Sequence, residues 1–237
     1  MDEMATAIAE LSGWPKDGLS AAYFPQEKVG LGRLGEADVV FALVPLPFFL
    51  KHEEALKLTA RLAVVQQGLD ATQAWTLVAK KGSLKRAADL EGWTLFSTAG
   101  YSADFVTKVA LQGFGPLPAV KVTSGGQVLS ALRKAASGNE KLAVVLDSEQ
   151  AKALATLPFA AELELVHLGP KVPVAIVATL GERLSAAEWK VAAAAFTKLP
   201  TVEHGKAALE GVRLSGFAPL DDGALAAAKK AFRGSAK

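Results

Sequence analysis

The chain of 237 residues contains no cysteine. That excludes disulfides, iron–sulfur clusters and zinc–thiolate sites, but it does not fix the compartment, because a chain of this length can build a core without cross-links. A basic cluster is missing as well. The net charge is +2, and no run of cations is denser than Lys80-Lys81 or Lys229-Lys230, so the electrostatic footprint of a nucleic-acid binder is absent. Long apolar runs are also lacking. The content of 51% apolar residues and the mean hydropathy of +0.26 derive largely from alanine. The longest apolar stretch, Val39 to Leu50, has 12 residues and two prolines, too short to cross about 30 Å of hydrocarbon. A soluble protein is expected. The opening Met1-Asp2-Glu3-Met4 is acidic where a secretory leader would be cationic. Either the protein is cytoplasmic, or its leader lies outside this sequence.

The catalytic constellations are thin. His52, His167 and His204 are far apart in sequence and lack the spacing of a metal site. No G-x-S-x-G elbow is present. Gly30-Leu-Gly-Arg-Leu-Gly35 matches G-x-G-x-x-G, but it precedes an apolar strand instead of following one, which is the wrong context for a dinucleotide loop. No cofactor, no metal and no enzymatic activity are expected.

What is present is alternation. Met4 to Leu11 reads as an amphipathic helix and Leu19 to Phe24 as a strand. Gln26 to Gly35 reads as a helix or turn and Ala37 to Val44 as a strand. Further on, strand patterns at Arg61–Gln66, Gln73–Ala79, Trp93–Ser97, Ala119–Val122, Leu142–Leu146, Leu163–Leu168 and Val172–Thr179 alternate for the most part with helical ones. Ser124-Gly-Gly-Gln127 and Ser185-Ala-Ala-Glu188 have the form of capping boxes. Continuously apolar strands such as Leu142–Leu146 suggest mostly parallel sheets covered on both faces.

Two loops stand out. The strand ending at Val44 runs into Pro45, Leu46, Pro47, Phe48 and Phe49. These residues either line a ligand site with apolar surface or fill a core. Tyr23 and Phe24 end the neighbouring predicted strand and would extend the same wall. The strand ending at Ser97 runs into Thr98, Ala99, Gly100, Tyr101 and Ser102. Hydroxyls and a glycine before a helix suit an anion or a polar ligand end, and ordinary capping by Ser102 is the other reading. Asp147 ends a buried strand and either faces a ligand or caps the next helix.

In order along the chain stand Glu36-Ala-Asp-Val-Val-Phe41, Trp75 to Ser83, Ala88-Asp-Leu-Glu-Gly-Trp93 with Phe96 to Ser102, Val128 to Arg133 leading to Leu142–Asp147, and Leu209 to Asp222. This order resembles the phosphonate/phosphite-type periplasmic solute-binding proteins of ABC importers, which have the type 2 periplasmic binding fold. The resemblance implies an α/β protein of two lobes, 1–77 with 173–237 and 78–172. It also implies two crossing strands that act as a hinge, a ligand between the lobes, membrane-embedded transporter subunits as partners, a periplasmic location and a monomer. Two departures stand out: the family begins with a strand before its first helix, and its hydroxyl loop carries a third hydroxyl where Ala99 stands. The apolar residues 45–49 facing the polar loop 97–102 favour an amphipathic, lipid-like ligand. A small oxyanion, or a sensing role for the same fold, is the alternative.

Overall fold

A computed structural model describes residues 1–234; positions 235–237, which the expected first lobe included, lie outside the described residues. In chain order the helices and strands begin with α1 (Asp2–Leu11), α2 (Glu27–Leu34), β1 (Phe41–Pro45), α3 (Leu46–His52), β2 (Leu58–Gln66) and β3 (Thr72–Lys80). They continue with β4 (Thr94–Ser97), β5 (Lys121–Ser124), α4 (Val128–Ser137), β6 (Leu142–Leu146), α5 (Ser148–Leu154) and β7 (Leu163–Pro173). The last are β8 (Ala175–Leu180), α6 (Ala186–Lys198), α7 (Glu203–Gly211), β9 (Leu214–Ala218) and α8 (Asp222–Arg233). Between β4 and β5 the backbone forms a six-residue π-helical segment, Phe105–Ala110. None of the described helices is long and apolar enough to cross a membrane.

The chain divides into two compact units, Met1–Ala71 with Pro173–Asp221, and Thr72–Val172 with the stretch from Asp222 on. The expected division placed 72–77 and the C-terminal helix in the first lobe. Residues 72–77 instead belong to β3 inside the second sheet, and α8 packs on the π-helical segment, where Lys108 Nζ donates to Phe232 O at 3.5 Å.

The first unit carries a four-stranded sheet in the order β1-β8-β2-β9. Every neighbouring pair in it is antiparallel, which corrects the expectation of a mostly parallel sheet. β1 and β2 run the same way but are not neighbours; β8 lies between them in the opposite direction. The period of α1 places Met4, Ala7 and Ile8 against this sheet, with Phe196 and Leu199 from α6 and its end and Leu209 from α7. Phe196 anchors the core by edge contacts to Phe41 and Phe217, with centroids at 5.8 and 4.7 Å. α6 starts at the Ser185–Glu188 capping box that the sequence indicates.

Leu19–Phe24 forms no strand. The residues have the right composition, but no strand of the sheet pairs with them, and an isolated strand has nowhere to place its backbone hydrogen bonds. The G-x-G-x-x-G stretch falls on α2, a helix without a buried residue. Polar contacts hold it instead. Glu27 Oε1 accepts from His52 Nε2 at 2.7 Å and Lys51 Nζ at 2.9 Å. Beyond its other end, Arg183 Nη1 donates to the carbonyls of Leu34, Glu36 and Val39 at 3.0, 2.6 and 2.9 Å.

The second unit carries a five-stranded sheet in the order β5-β4-β6-β3-β7. Here β5, β4 and β6 are parallel, and β3 is antiparallel to β6. All five residues of β6 are buried, as its unbroken apolar run requires. Leu132 and Ala135 of α4 and Leu154 of α5 pack with Val144 and Leu146 in one cluster. α4 stops at Gly138 with φ +68, a conformation that favours glycine.

Candidate functional site

The parallel strands of the second unit bring three C-terminal ends together. Ser97 of β4 is level with Ser124 of β5, and Phe96 with Val144 of β6. The turns that follow, 98–102, 125–127 and 147–148, therefore lie side by side with β4 in the middle. The carboxyl ends of parallel strands are the usual place for a ligand in an α/β sheet.

Within the central turn the residues have separate tasks. Ser97 is fully buried; its hydroxyl donates to Val145 O at 2.8 Å and accepts from Ala99 N at 3.3 Å. It therefore ties β4 to β6 and closes the turn. Ala99 is buried. Gly100 is pressed so closely on the Thr123 carbonyl and the Ser124 side chain that a Cβ has no room. Tyr101 is half-buried. Thr98 is also half-buried, and its Oγ1 meets Gln150 Nε2 at 3.4 Å. Ser102 is only 4% exposed, and among the described residues its hydroxyl has no hydrogen-bond partner. A buried hydroxyl of this kind is either strained or intended for a group outside the chain.

Asp147 takes the capping role. Its Oδ1 accepts from Gln150 N at 2.8 Å, and Gln150 Oε1 accepts from Asp147 N at 3.2 Å, a reciprocal box at the start of α5. Burial pushes the Asp147 carboxyl above its usual range. Gln150 was not among the residues singled out from the sequence; the signal was the spacing of Asp147 and Gln150, which fits a capping box. The box expected at Ser124–Gln127 does not form. Ser124 stays in β5, and Gln127 is the N-cap of α4 without a side-chain cap.

The apolar loop of the first unit behaves differently. Pro45 is exposed, but Leu46, Pro47, Phe48, Phe49 and Leu50 are all buried as the start of α3. Phe49 is fully buried, and the Phe48 ring lies against His52 with centroids at 4.6 Å. The rings fill the core, so the apolar wall expected for a lipid-like ligand is inside the fold. Tyr23 and Phe24 are exposed, on coil rather than at a strand end.

The histidines remain apart, His52 on Glu27, His167 at 3.1 Å from Gln112 O and His204 at 3.6 Å from Glu10. Among the described residues no group of three or more His, Asp or Glu side chains could hold a metal ion.

Comparison with known proteins identifies the fold. No protein-family model matches the chain, and no curated protein matches it in sequence. Solved structures do. A Xanthomonas citri protein bound to ATP is similar with a TM-score of 0.75 and 14% identity, over 98% of this chain and 90% of that one. PhnD1 from Prochlorococcus marinus (MIT 9301), in complex with methylphosphonate, is similar with a TM-score of 0.60 and 13% identity, over 94% and 87%. A binding-protein component of an ABC phosphonate transporter from Pseudomonas aeruginosa has a TM-score of 0.56 and 15% identity, over 94% and 76%. The chain thus has the two-unit α/β fold of type 2 periplasmic binding proteins.

Proposed function

We propose that the protein is a solute-binding protein of an ABC-type import system, acting in the periplasm with membrane-embedded transporter subunits as partners. Its ligand is a small solute with an anionic head, held by the turn Thr98–Ser102. The observation that carries the ligand class is the buried, unpartnered Ser102 hydroxyl in the same turn as the half-buried Thr98 hydroxyl. Both lie where the parallel strands end. An anionic head gains hydrogen bonds from such a turn without needing apolar surface, and of the residues expected to provide that surface, Leu46 to Phe49 are buried while Tyr23, Phe24 and Pro45 are exposed. Similar structures support this ligand class: one carries ATP and, in a second structure, chloride, and another carries methylphosphonate.

Calorimetric titration with inorganic phosphate, methylphosphonate and ATP tests the reading. Saturable binding of at least one of them, weakened in Ser102→Ala, is expected. Binding to sterol or phospholipid vesicles with no heat from any of the three anions would overturn it.

A further inference from the structure

The hydrogen bonds around Thr98 determine which way each proton points. The backbone N–H of Asp147 can only donate, and it meets Gln150 Oε1 at 3.2 Å. That contact orients the Gln150 amide, so the atom 3.4 Å from Thr98 Oγ1 is the nitrogen Nε2. An NH₂ group has only protons to offer. Thr98 Oγ1 therefore accepts, and its own proton points away from Gln150. Its neighbour Ser97 has no such proton to spare, because that hydroxyl already donates to Val145 O.

We propose that Gln150 is a positioning residue that makes the Thr98 hydroxyl an outward hydrogen-bond donor. It thereby selects ligand atoms that accept without carrying a proton, such as an ionised phosphonate, phosphate or sulfate oxygen. The inference rests on the turn Thr98–Ser102 being the ligand loop. Capping alone does not require glutamine here. Glutamate at the third helical position closes a capping box equally well and would accept from Asp147 N in the same way. It would also accept from Thr98, drawing the hydroxyl proton inward and turning a lone pair toward the ligand. Glutamine holds Asp147 N with its oxygen while presenting a donor to Thr98 with its nitrogen.

The test is calorimetric titration of methylphosphonate, phosphate and sulfate into the wild type, Gln150→Glu, Thr98→Val and the double variant. Gln150→Glu is expected to weaken binding about 10- to 100-fold, the value of one hydrogen bond to a charged group, with thermal stability kept because the cap survives. Thr98→Val is expected to cost a similar factor. In the Thr98→Val background, Gln150→Glu is expected to cost little more. A Gln150→Glu loss that persists in full in that background would show repulsion by the added charge and overturn the proposal. Equal affinities of the wild type and Gln150→Glu would overturn it while leaving the ligand loop standing. A wild type that binds none of these three ions would overturn the proposal, and one that does not bind ATP either would overturn the loop reading with it.

Discussion

β1 and β4 end in opposite ways. Where β1 stops, α3 begins at once, and Leu46 to Leu50 all turn inside. Pro47 lies in the first turn of that helix, where a missing N–H costs nothing. Where β4 stops, the chain makes a tight turn before it becomes helical. Gly100 packs backbone to backbone on Thr123, and Thr98 stays at the half-buried surface. The difference lies in the neighbours. β1 is an edge strand of an antiparallel sheet, while β4 lies between two parallel strands that end at the same level. Only the second arrangement gathers several turns at one place; at the first, the side chains serve the core.

The largest test of this contrast is Phe49→Ala. Losing a fully buried ring is expected to destabilise the fold by about 3–5 kcal/mol in urea unfolding, with the methylphosphonate affinity of the folded protein unchanged. Lost affinity at unchanged stability would erase the distinction between the two strand ends.

Gly100→Ala comes next. The added methyl would force the turn away from Thr123, at about 1–3 kcal/mol, and here affinity is expected to fall together with stability. Asp147 sharpens the picture further. As a cap, Asp147→Ala is expected to cost about 1 kcal/mol. Asp147→Asn is expected to cost less, since asparagine caps as well and removes a charge that burial disfavours.

The smallest effect concerns the far end of α3. Burial alone would raise the Glu27 carboxyl, but the hydrogen bonds and charges of His52 and Lys51 together hold it below its ordinary value of 4.5. A lowered acid contributes stability that is complete above that ordinary value and is lost as pH falls through the folded one. The stability difference between wild type and Glu27→Gln should therefore shrink as urea unfolding is moved from about pH 6 to about pH 3. A difference that stays constant on acidification would show that the contact on α2 contributes nothing.

Much of the framework was legible because it rests on local rules. The period of α1, the Ser185–Glu188 box and the apolar run of β6 each need only a few neighbouring residues. The turn at 97–102 was legible as a candidate for the same reason, a strand followed by hydroxyls and glycine. The direction of Phe48 and Phe49 was not, since either side of a strand end accepts aromatic rings and only the immediate start of α3 decides. Leu19–Phe24 reads as a strand, but strand formation depends on a partner that local sequence does not reveal. The hydrogen-bond role of Gln150 required the spatial meeting of α5 with the turn after β4.

The position of β8 has a consequence in time. β1 and β2 each pair with β8 and not with each other, and on the order of 100 residues separate β2 from β8. At about 5–20 residues per second, a ribosome needs roughly 5–20 s to add them. Throughout that interval the first two strands have emerged without the neighbour that joins them. The second sheet is drawn from one uninterrupted stretch, β3 to β7, and can close while the first still waits. The sheet that carries the hydroxyl turn can then form before the sheet that begins the chain, although α8, which completes the second unit, is made last.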